Sequence, residues 1–306
     1  MTFPPTRYSA VLTTYNSEKK VLAALSAICN QDIPPFEIII VDDFSTDGTV
    51  RLIQDFAFSE ITIRVVLNRS NAGQSESRNT ALGLVSTPIA IFFDDDDISL
   101  PERSTFHLEM HSNGAEISYV SSIKNYGNAH EVVHLNTELQ KICLDTADAC
   151  ALLFAGIEVK GVGFLSVPAS TLGVTVESFK TIGGFDAKLR RLEDVDFFLR
   201  ATRNGIYSSW TKRIGVIRAH SMRDDKGRGI DSDYELMLLE RYSDFMSRMF
   251  FREAVLIAKL RQMYFSRKLS TLPLFLFSNP RAIVLILKRV EKLMRRLIHD
   301  FKKSRK

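Results

Sequence analysis

The sequence predicts an α/β fold: a mostly parallel sheet flanked by helices, continued by a C-terminal helical extension. Three observations predict it. Through about the first hundred residues, short apolar runs alternate with stretches whose apolar residues recur at helical spacing. One run, Phe36–Val41, is apolar almost throughout, as in strands covered on both faces. From Tyr234 the helical pattern continues to the end, interrupted near Pro273 and Pro280. Repeated strand–helix alternation implies a parallel sheet between helices, because right-handed crossovers carry the chain back to the same edge.

Tyr8–Thr14 reads as the first strand, ending in the polar Tyr15-Asn16-Ser17. Ser17 is placed to cap a helix running through Val21, Leu22, Leu25 and Ile28, which Pro34-Pro35 then breaks. Phe36–Val41 forms the second strand, Asp42-Asp43 a turn, and Thr49–Phe56 a second helix. Ile61–Leu67 is a third strand, Ser75–Val85 a third helix, and Pro88–Phe93 a fourth strand cut off by Asp94–Asp97. Between Asn113 and Thr181 the pattern is weaker, with strand-like pieces at Ile117–Ser121 and Gly163–Val167 and a helix around Thr146–Ala155. A helix follows Gly183-Gly184-Phe185, from Glu193 to Asn204. The expected division is a domain over 1–230, with halves of about 1–112 and 113–230, and a helical extension over 231–306.

Composition excludes some classes. A hydrophobic content of 45% with 25% charged residues suits a globular chain and fits neither a disordered nor a multi-span membrane protein. The start, MTFPPTRYSAV, lacks a basic segment followed by a long apolar one, which argues against a secretory signal. Cys29, Cys143 and Cys150 show no paired spacing and suit a reducing cytoplasm. The net charge of +4 is uneven: ten Lys/Arg against Glu291 and Asp300 make the stretch from Leu272 a +8 tail on a −4 body.

In an open α/β sheet, ligands bind beyond the carboxyl ends of the strands. Three strand ends here carry polar groups, Thr13-Thr14, Asp42-Asp43 and Asp94–Asp97, and should converge on one edge. Four consecutive aspartates repel one another unless a cation or positive side chains compensate. Hard divalent ions take such oxygen ligands, and Asp94 and Asp96 would point the same way if strand geometry continues. A solvated acidic loop is the plainer alternative. Glu193-Asp194-Val195-Asp196 opens a helix, where acidic residues also complement the dipole. Trp210 beside a strand reads as packing rather than as a sugar platform.

The stretches VLTTYN (Val11–Asn16), FEIIIVDDFSTDGT (Phe36–Thr49), NAGQSESRNTAL (Asn71–Leu82), FFDDDDISLP (Phe92–Pro101) and GGFDAKLRRLEDVDFFLR (Gly183–Arg200) resemble the successive signature blocks of glycosyltransferase family 2. Each block is weak alone; five in order over Tyr8 to His220 are specific. The resemblance implies a GT-A fold and transfer of a sugar from a nucleotide-diphosphate donor, UDP being expected, to a hydroxyl of a glycan or lipid-linked acceptor, with inversion. It implies nucleotide contacts at Thr13, Tyr15, Asp43, Arg78 and Asp94, Mn²⁺ or Mg²⁺ at Asp94 and Asp96, and Asp194 as catalytic base. His220, in VIRAHS, is a further candidate metal ligand, with a hydrogen-bonded structural histidine as the alternative.

At the C-terminus, Ile283, Ile286, Leu287, Val290, Met294, Leu297 and Phe301 recur at helical spacing beside a basic face. Such a helix can lie on an anionic membrane surface; packing on the body or in a homo-oligomer is the alternative. The expected placement is cytoplasmic, peripheral to the inner face of the membrane. Nucleic-acid binding is not expected, since no aromatic platform accompanies the basic tail. A catalytically silent member acting as a binding or scaffold protein is the competing function, and intact Asp94, Asp96 and Asp194 count against it.

Overall fold

The computed structural model describes residues 7–56, 60–125, 130–133, 139–142, 144–155, 159, 166–218 and 224–265. The chain divides into two compact units, Met1–Ser221 and Met222–Lys306.

The first unit opens with β1 (Tyr8–Thr14), α1 (Val21–Cys29), β2 (Glu37–Asp42), α2 (Thr49–Asp55), β3 (Thr62–Leu67), α3 (Gln74–Leu82) and β4 (Ile89–Asp94). It continues through β5 (Ile98–Ser99), α4 (Arg103–Ser112), β6 (Ile117–Asn125), β7 (His130–Val133), β8 (Leu139–Ile142) and α5 (Thr146–Cys150). A short π turn at Ala151–Ala155 and a 3-10 turn at Ala169–Thr171 lead to β9 (Leu172–Thr175), α6 (Val176–Ile182), α7 (Glu193–Arg203) and β10 (Ser208–Arg218). The strand expected at Gly163–Val167 lies largely outside the described residues.

The described strands form one mixed sheet in the order β3-β2-β1-β4-β9-β6-β10-β5, with β7 beside β6 and β8 beside β10. The first four are parallel, as the strand–helix alternation predicts. β9 then enters antiparallel between β4 and β6, a placement that sequence periodicity cannot reveal. β1 and β2 are buried along their whole length. β3 is the edge strand and largely exposed.

Helix α1 shows how one face is chosen. Val21, Leu25 and Ile28 fall on one stripe and are buried against Leu12, Ile38, Ile40 and Ile91. Leu22 lies off that stripe and is exposed, although it belongs to the same apolar run. Ser17 does not cap this helix with its side chain: its carbonyl accepts from Lys20 and Val21, while its hydroxyl is drawn to Asp95.

The middle strands seal around small residues. Gly173 of β9 lies where a Cβ would stand 2.5 Å from Ser118 Oγ and 2.7 Å from His107 Nδ1. Those two groups are hydrogen-bonded at 2.7 Å, and His111 Nε2 reaches the same hydroxyl at 2.9 Å. Trp210 is fully buried, stacked on Tyr119 at 5.4 Å and met edge-on by Phe198, so it packs as the sequence suggests.

The second unit contains α8 (Asp224–Arg241), a 3-10 turn at Ser243–Phe245, and α9 (Arg248–Phe265), the two helices packing on each other. Helix therefore begins ten residues before Tyr234. Among the described residues no helix is long and apolar enough to cross a membrane. The basic amphipathic segment beyond Leu272 lies outside them.

Gly173→Ala should overpack the middle of the sheet and cost about 1–3 kcal/mol. A lowered urea midpoint with an unchanged m-value is the expected result.

Candidate active site

Parallel pairing brings the polar strand ends to one edge. Thr13 is opposite Asp94 across β1 and β4, and Thr14 is opposite Asp42 across β1 and β2. Beyond the strands the loops are tied together. Asp43 N–H donates to the Thr14 carbonyl, Asn16 N–H to Ser45 Oγ, and Thr46 N–H to Asn16 Oδ1.

Asp43 sits in a cradle of donors. Its Oδ1 accepts from Asn68 Nδ2 at 2.8 Å and from Ala72 N–H at 2.7 Å, and its Oδ2 accepts from Gly73 N–H at 2.8 Å. Gly73 holds φ +94°, a backbone that glycine adopts without strain, and a Cβ there would have to displace the flexible Arg190 guanidinium. Arg190 Nη1 also donates to Asn71 Oδ1 at 3.3 Å. Tyr15, expected near this group, is half-exposed, and its N–H donates to Asp95 Oδ2.

The acidic loop is not a continued strand. β4 ends at Asp94 and the chain turns at Asp95-Asp96, so the shared orientation expected of Asp94 and Asp96 does not come from strand geometry. The turn itself gathers carboxylate oxygens of Asp94, Asp96 and Asp97 within 4.8 Å of one another. Asp95 faces elsewhere and binds Ser17 Oγ and Tyr15 N–H. Burial, then the charges of Asp96 and Asp94, push its carboxyl up to about 6 against those hydrogen bonds. Lys20 approaches Asp96 and Arg218 approaches Asp97, both at 3.9 Å. Beneath the loop, buried Arg103 donates to Ser99 Oγ and the Phe92 carbonyl and lies over the Phe93 ring. Burial lowers its pKa to about 10, opposed by Asp94 and Asp97.

Arg78 joins the two sides of the site. It is 2% exposed and donates from Nη2 to Asp94 Oδ1 at 3.0 Å and from Nη1 to Glu193 Oε1 at 2.8 Å. Burial opposes its charge, but Asp94, Glu193 and Asp194 raise its pKa on balance. Below it, Phe92, Phe179, Phe185 and Phe197 pack ring on ring. Asn79 pins the Phe185 backbone through both N–H and carbonyl, and Gly184 leaves the space its amide needs.

α7 starts from Leu192, which has φ +59° and provides no side-chain cap. The acidic residues after it have separate tasks rather than a shared capping role. Glu193 pairs with Arg78, Asp196 pairs with Arg200 at 2.7 Å, and Asp194 accepts from its neighbour Val195 N–H. Asp194 keeps some surface, yet protein surrounds it on most sides. Burial first, then Glu193, push its carboxyl up to about 7, opposed by the Val195 N–H, Arg78 and Arg218. Thr13, Asp43, Arg78, Asp94 and Asp96 thus lie along the sheet edge, and Arg78 connects them to the start of α7. His220 lies outside the described residues. Sequence reasoning missed the pairing role of Glu193 and the buried Arg103, since neither spacing nor periodicity marks a partner 115 residues away or a cation under a loop.

A parallel sheet whose strand ends carry converging carboxylates, facing a helix that opens on a further pair, is a nucleotide-binding type of α/β architecture. Residues 9–151 match the model of Glycosyl transferase family 2. It is similar to an uncharacterised glycosyltransferase of Haemophilus influenzae, 28% identical over 195 residues, which is 63% of this chain and 60% of that protein. It is also similar to the poly(ribitol-phosphate) beta-N-acetylglucosaminyltransferase TarS of Staphylococcus aureus, 32% identical over 35% of this chain and 20% of that protein. The matched stretches thus span less than two thirds of either relative. The structure of TarS residues 1–349 with UDP-GlcNAc superposes with a TM-score of 0.64 at 18% identity, covering 87% of this chain and 75% of that one. The mannosyltransferase PcManGT of Pyrobaculum calidifontis, solved with GDP-Man and Mn²⁺, gives 0.62 at 15% identity over 94% and 80%. The fold is GT-A.

Arg78→Met would leave buried Glu193 and half-buried Asp94 without their cation. Breaking such a pair costs roughly 3–5 kcal/mol, so denaturant unfolding should show a loss of that order, partly recovered in Arg78→Met/Glu193→Leu.

Proposed function

We propose that this chain is an inverting glycosyltransferase that moves a sugar from a nucleotide-diphosphate donor to an acceptor hydroxyl. The observation that supports this most is the Arg78 bridge. One buried guanidinium fixes the donor-edge carboxylate Asp94 and the neighbour of Asp194 relative to each other. Holding two reactants in line removes much of the entropic barrier to displacement, and a rigid tie across the site serves that purpose.

In this reading Asp43, Thr13 and Tyr15 meet the nucleoside, and Asp94 meets both ribose and metal. The gathered oxygens of Asp94, Asp96 and Asp97 fit a hard divalent ion, Mn²⁺ or Mg²⁺, with His220 as a further ligand. Such an ion, when bound, stabilises the negative charge left on the departing diphosphate. Asp94 and Asp96 would hold the ion that neutralises the diphosphate, while Asp194 accepts the acceptor's proton as its oxygen bonds to the anomeric carbon. The bond from that carbon to the diphosphate oxygen breaks on the opposite face, which inverts the configuration. A carboxyl raised to about 7 is a stronger base than an ordinary aspartate and still largely ionised above neutrality.

UDP is the donor nucleotide to test first, because TarS has been solved with UDP-GlcNAc. An acceptor in a cell-envelope polymer follows the same likeness, since TarS is named for a poly(ribitol-phosphate) acceptor. The basic C-terminal segment, whose apolar residues recur at helical spacing in the sequence, would hold the enzyme on the anionic inner membrane face beside a lipid-linked acceptor, or join two copies.

Calorimetry and donor hydrolysis across UDP-, GDP- and dTDP-sugars, with and without Mn²⁺, test the reading on wild type and Asp96→Ala. Metal-dependent binding of one nucleotide, lost in the variant, is expected; binding of none with any metal would favour a silent scaffold instead. Asp194→Asn should lower kcat by about 10²–10⁴ while leaving nucleotide affinity unchanged. Because the carboxylate is the active form, kcat/KM should fall as pH drops through about 7, and a flat kcat/KM profile from pH 6 to 8 would remove Asp194 as the base.

A further inference from the structure

Tyr119 lies within β6 and is 1% exposed, yet its hydroxyl has no hydrogen-bond partner among the described residues. Burying an unpaired hydroxyl is unfavourable, and a phenylalanine would fill the same space without that cost. Packing alone therefore does not account for the oxygen.

The sheet sets where Tyr119 stands. Its neighbours Ser118 and Val120 point to α4, where Ser118 meets His107 and Val120 packs with Met110. Alternation along the strand turns Tyr119 to the opposite face. There Trp210 of β10 stacks on its ring at 5.4 Å and 14° from parallel, and Phe198 of α7 meets it edge-on at 6.2 Å. The ring is thus held on two sides. Ser118 is level with Gly173, and Gly173 with Ile91, so Tyr119 stands one residue nearer the edge at which Asp94 lies.

Phe198 follows Asp194 by four residues, so the two share a face of α7. Helical side chains lean toward the N-terminus, which carries the Phe198 ring over the turn that Asp194 occupies. Asp194 Oδ1 accepts from Val195 N–H, the amide of the next residue. Burial first, and then the Asp194 charge, hold the Tyr119 hydroxyl well above its ordinary pKa. It keeps its proton, so toward that carboxylate it is a donor.

We propose that Tyr119 is a positioning residue for Asp194: its O–H donates to the carboxylate once a nucleophile is seated, fixing one oxygen while the other takes the proton. This rests on the reading of Asp194 as the base. Trp210 and Phe198 hold the ring that carries the donor.

The test follows hydrolysis of UDP-GlcNAc with Mn²⁺, or of whichever nucleotide-sugar wild type binds, in wild type, Tyr119→Phe, Asp194→Asn and the double variant. Tyr119→Phe should lower kcat about ten- to hundredfold, the range for a hydrogen bond to a charged group, with KM for the donor within about threefold. In the Asp194→Asn background the same change should cost less than about threefold, since the hydroxyl acts through that carboxylate. Tyr119→Phe should melt no lower than wild type, because it removes an unpartnered buried oxygen.

The proposal is overturned if Tyr119→Phe turns over as wild type does, or if it costs as much beside Asp194→Asn as alone. A raised KM with kcat unchanged, or a melting point several degrees lower, overturns it too. If Asp194→Asn hydrolyses the donor as wild type does, the base reading fails and this proposal with it. A wild type that hydrolyses no nucleotide-sugar sinks the transferase reading and the roles of both residues.

Discussion

A single buried cation organises this site. Placing the Arg78 guanidinium out of water costs several kcal/mol unless anions and hydrogen bonds compensate, and the fold provides Asp94 from one side and Glu193 from the other. Those residues come from β4 and α7, 99 positions apart in the chain, and neither could be moved without leaving a charge unpaired. The packed phenylalanines below hold the guanidinium from beneath, with the Phe185 ring 5.6 Å away. Carboxylates on both sides of the site therefore share one rigid reference point. Precision at the edge depends on that tie more than on the loops that decorate it.

The surrounding loops are fixed by a different device. Backbone N–H groups and short hydroxyls, not long ion pairs, fasten the loops after β1, β2, β3 and β4 to each other: Ser17 and Tyr15 to Asp95, Asn16 to Ser45 and Thr46, and Ala72 and Gly73 to Asp43. Hydrogen bonds to ionised carboxylates are among the stronger ones available. Asp94, Asp96 and Asp97 gather instead, with Arg78 on Asp94 at 3.0 Å and Lys20 and Arg218 approaching Asp96 and Asp97 at 3.9 Å. The division within the four aspartates is thus between one that fastens loops and three that gather, a distinction their identical side chains conceal.

Much of this was legible in the residues. Apolar strands and helical spacing identify β1 to β4 and their helices to within a residue or two, because local pattern and burial agree there, save that α3 ends at Leu82, three residues before the expected Val85. The convergence of Thr13, Asp43 and Asp94 followed from parallel connectivity alone. What stayed hidden was set by contacts distant in sequence. The antiparallel entry of β9, the coupling of Arg78 to Glu193 and the seat of Arg103 under the acidic loop all depend on partners that no window of sequence contains. Leu22 and Ser17 misled for a related reason: each fits its local rule, but tertiary neighbours assign it another role. The charged run from Asp224 is helical although the helical pattern in the sequence starts only at Tyr234, as propensity is a weak guide where packing between α8 and α9 decides.

The order of strands carries a consequence for how this chain can be made and divided. β9, at Leu172–Thr175, separates β4 from β6, so a ribosome must extend some twenty residues past the family-matched span, which ends at 151, before the central seam can close. Until then β4 presents an open, apolar edge, the kind that recruits other strands. A fragment cut at the boundary of the recognisable family segment would keep that edge permanently bare. The smallest stretch with its central seam closed is therefore longer than the stretch that similarity recognises.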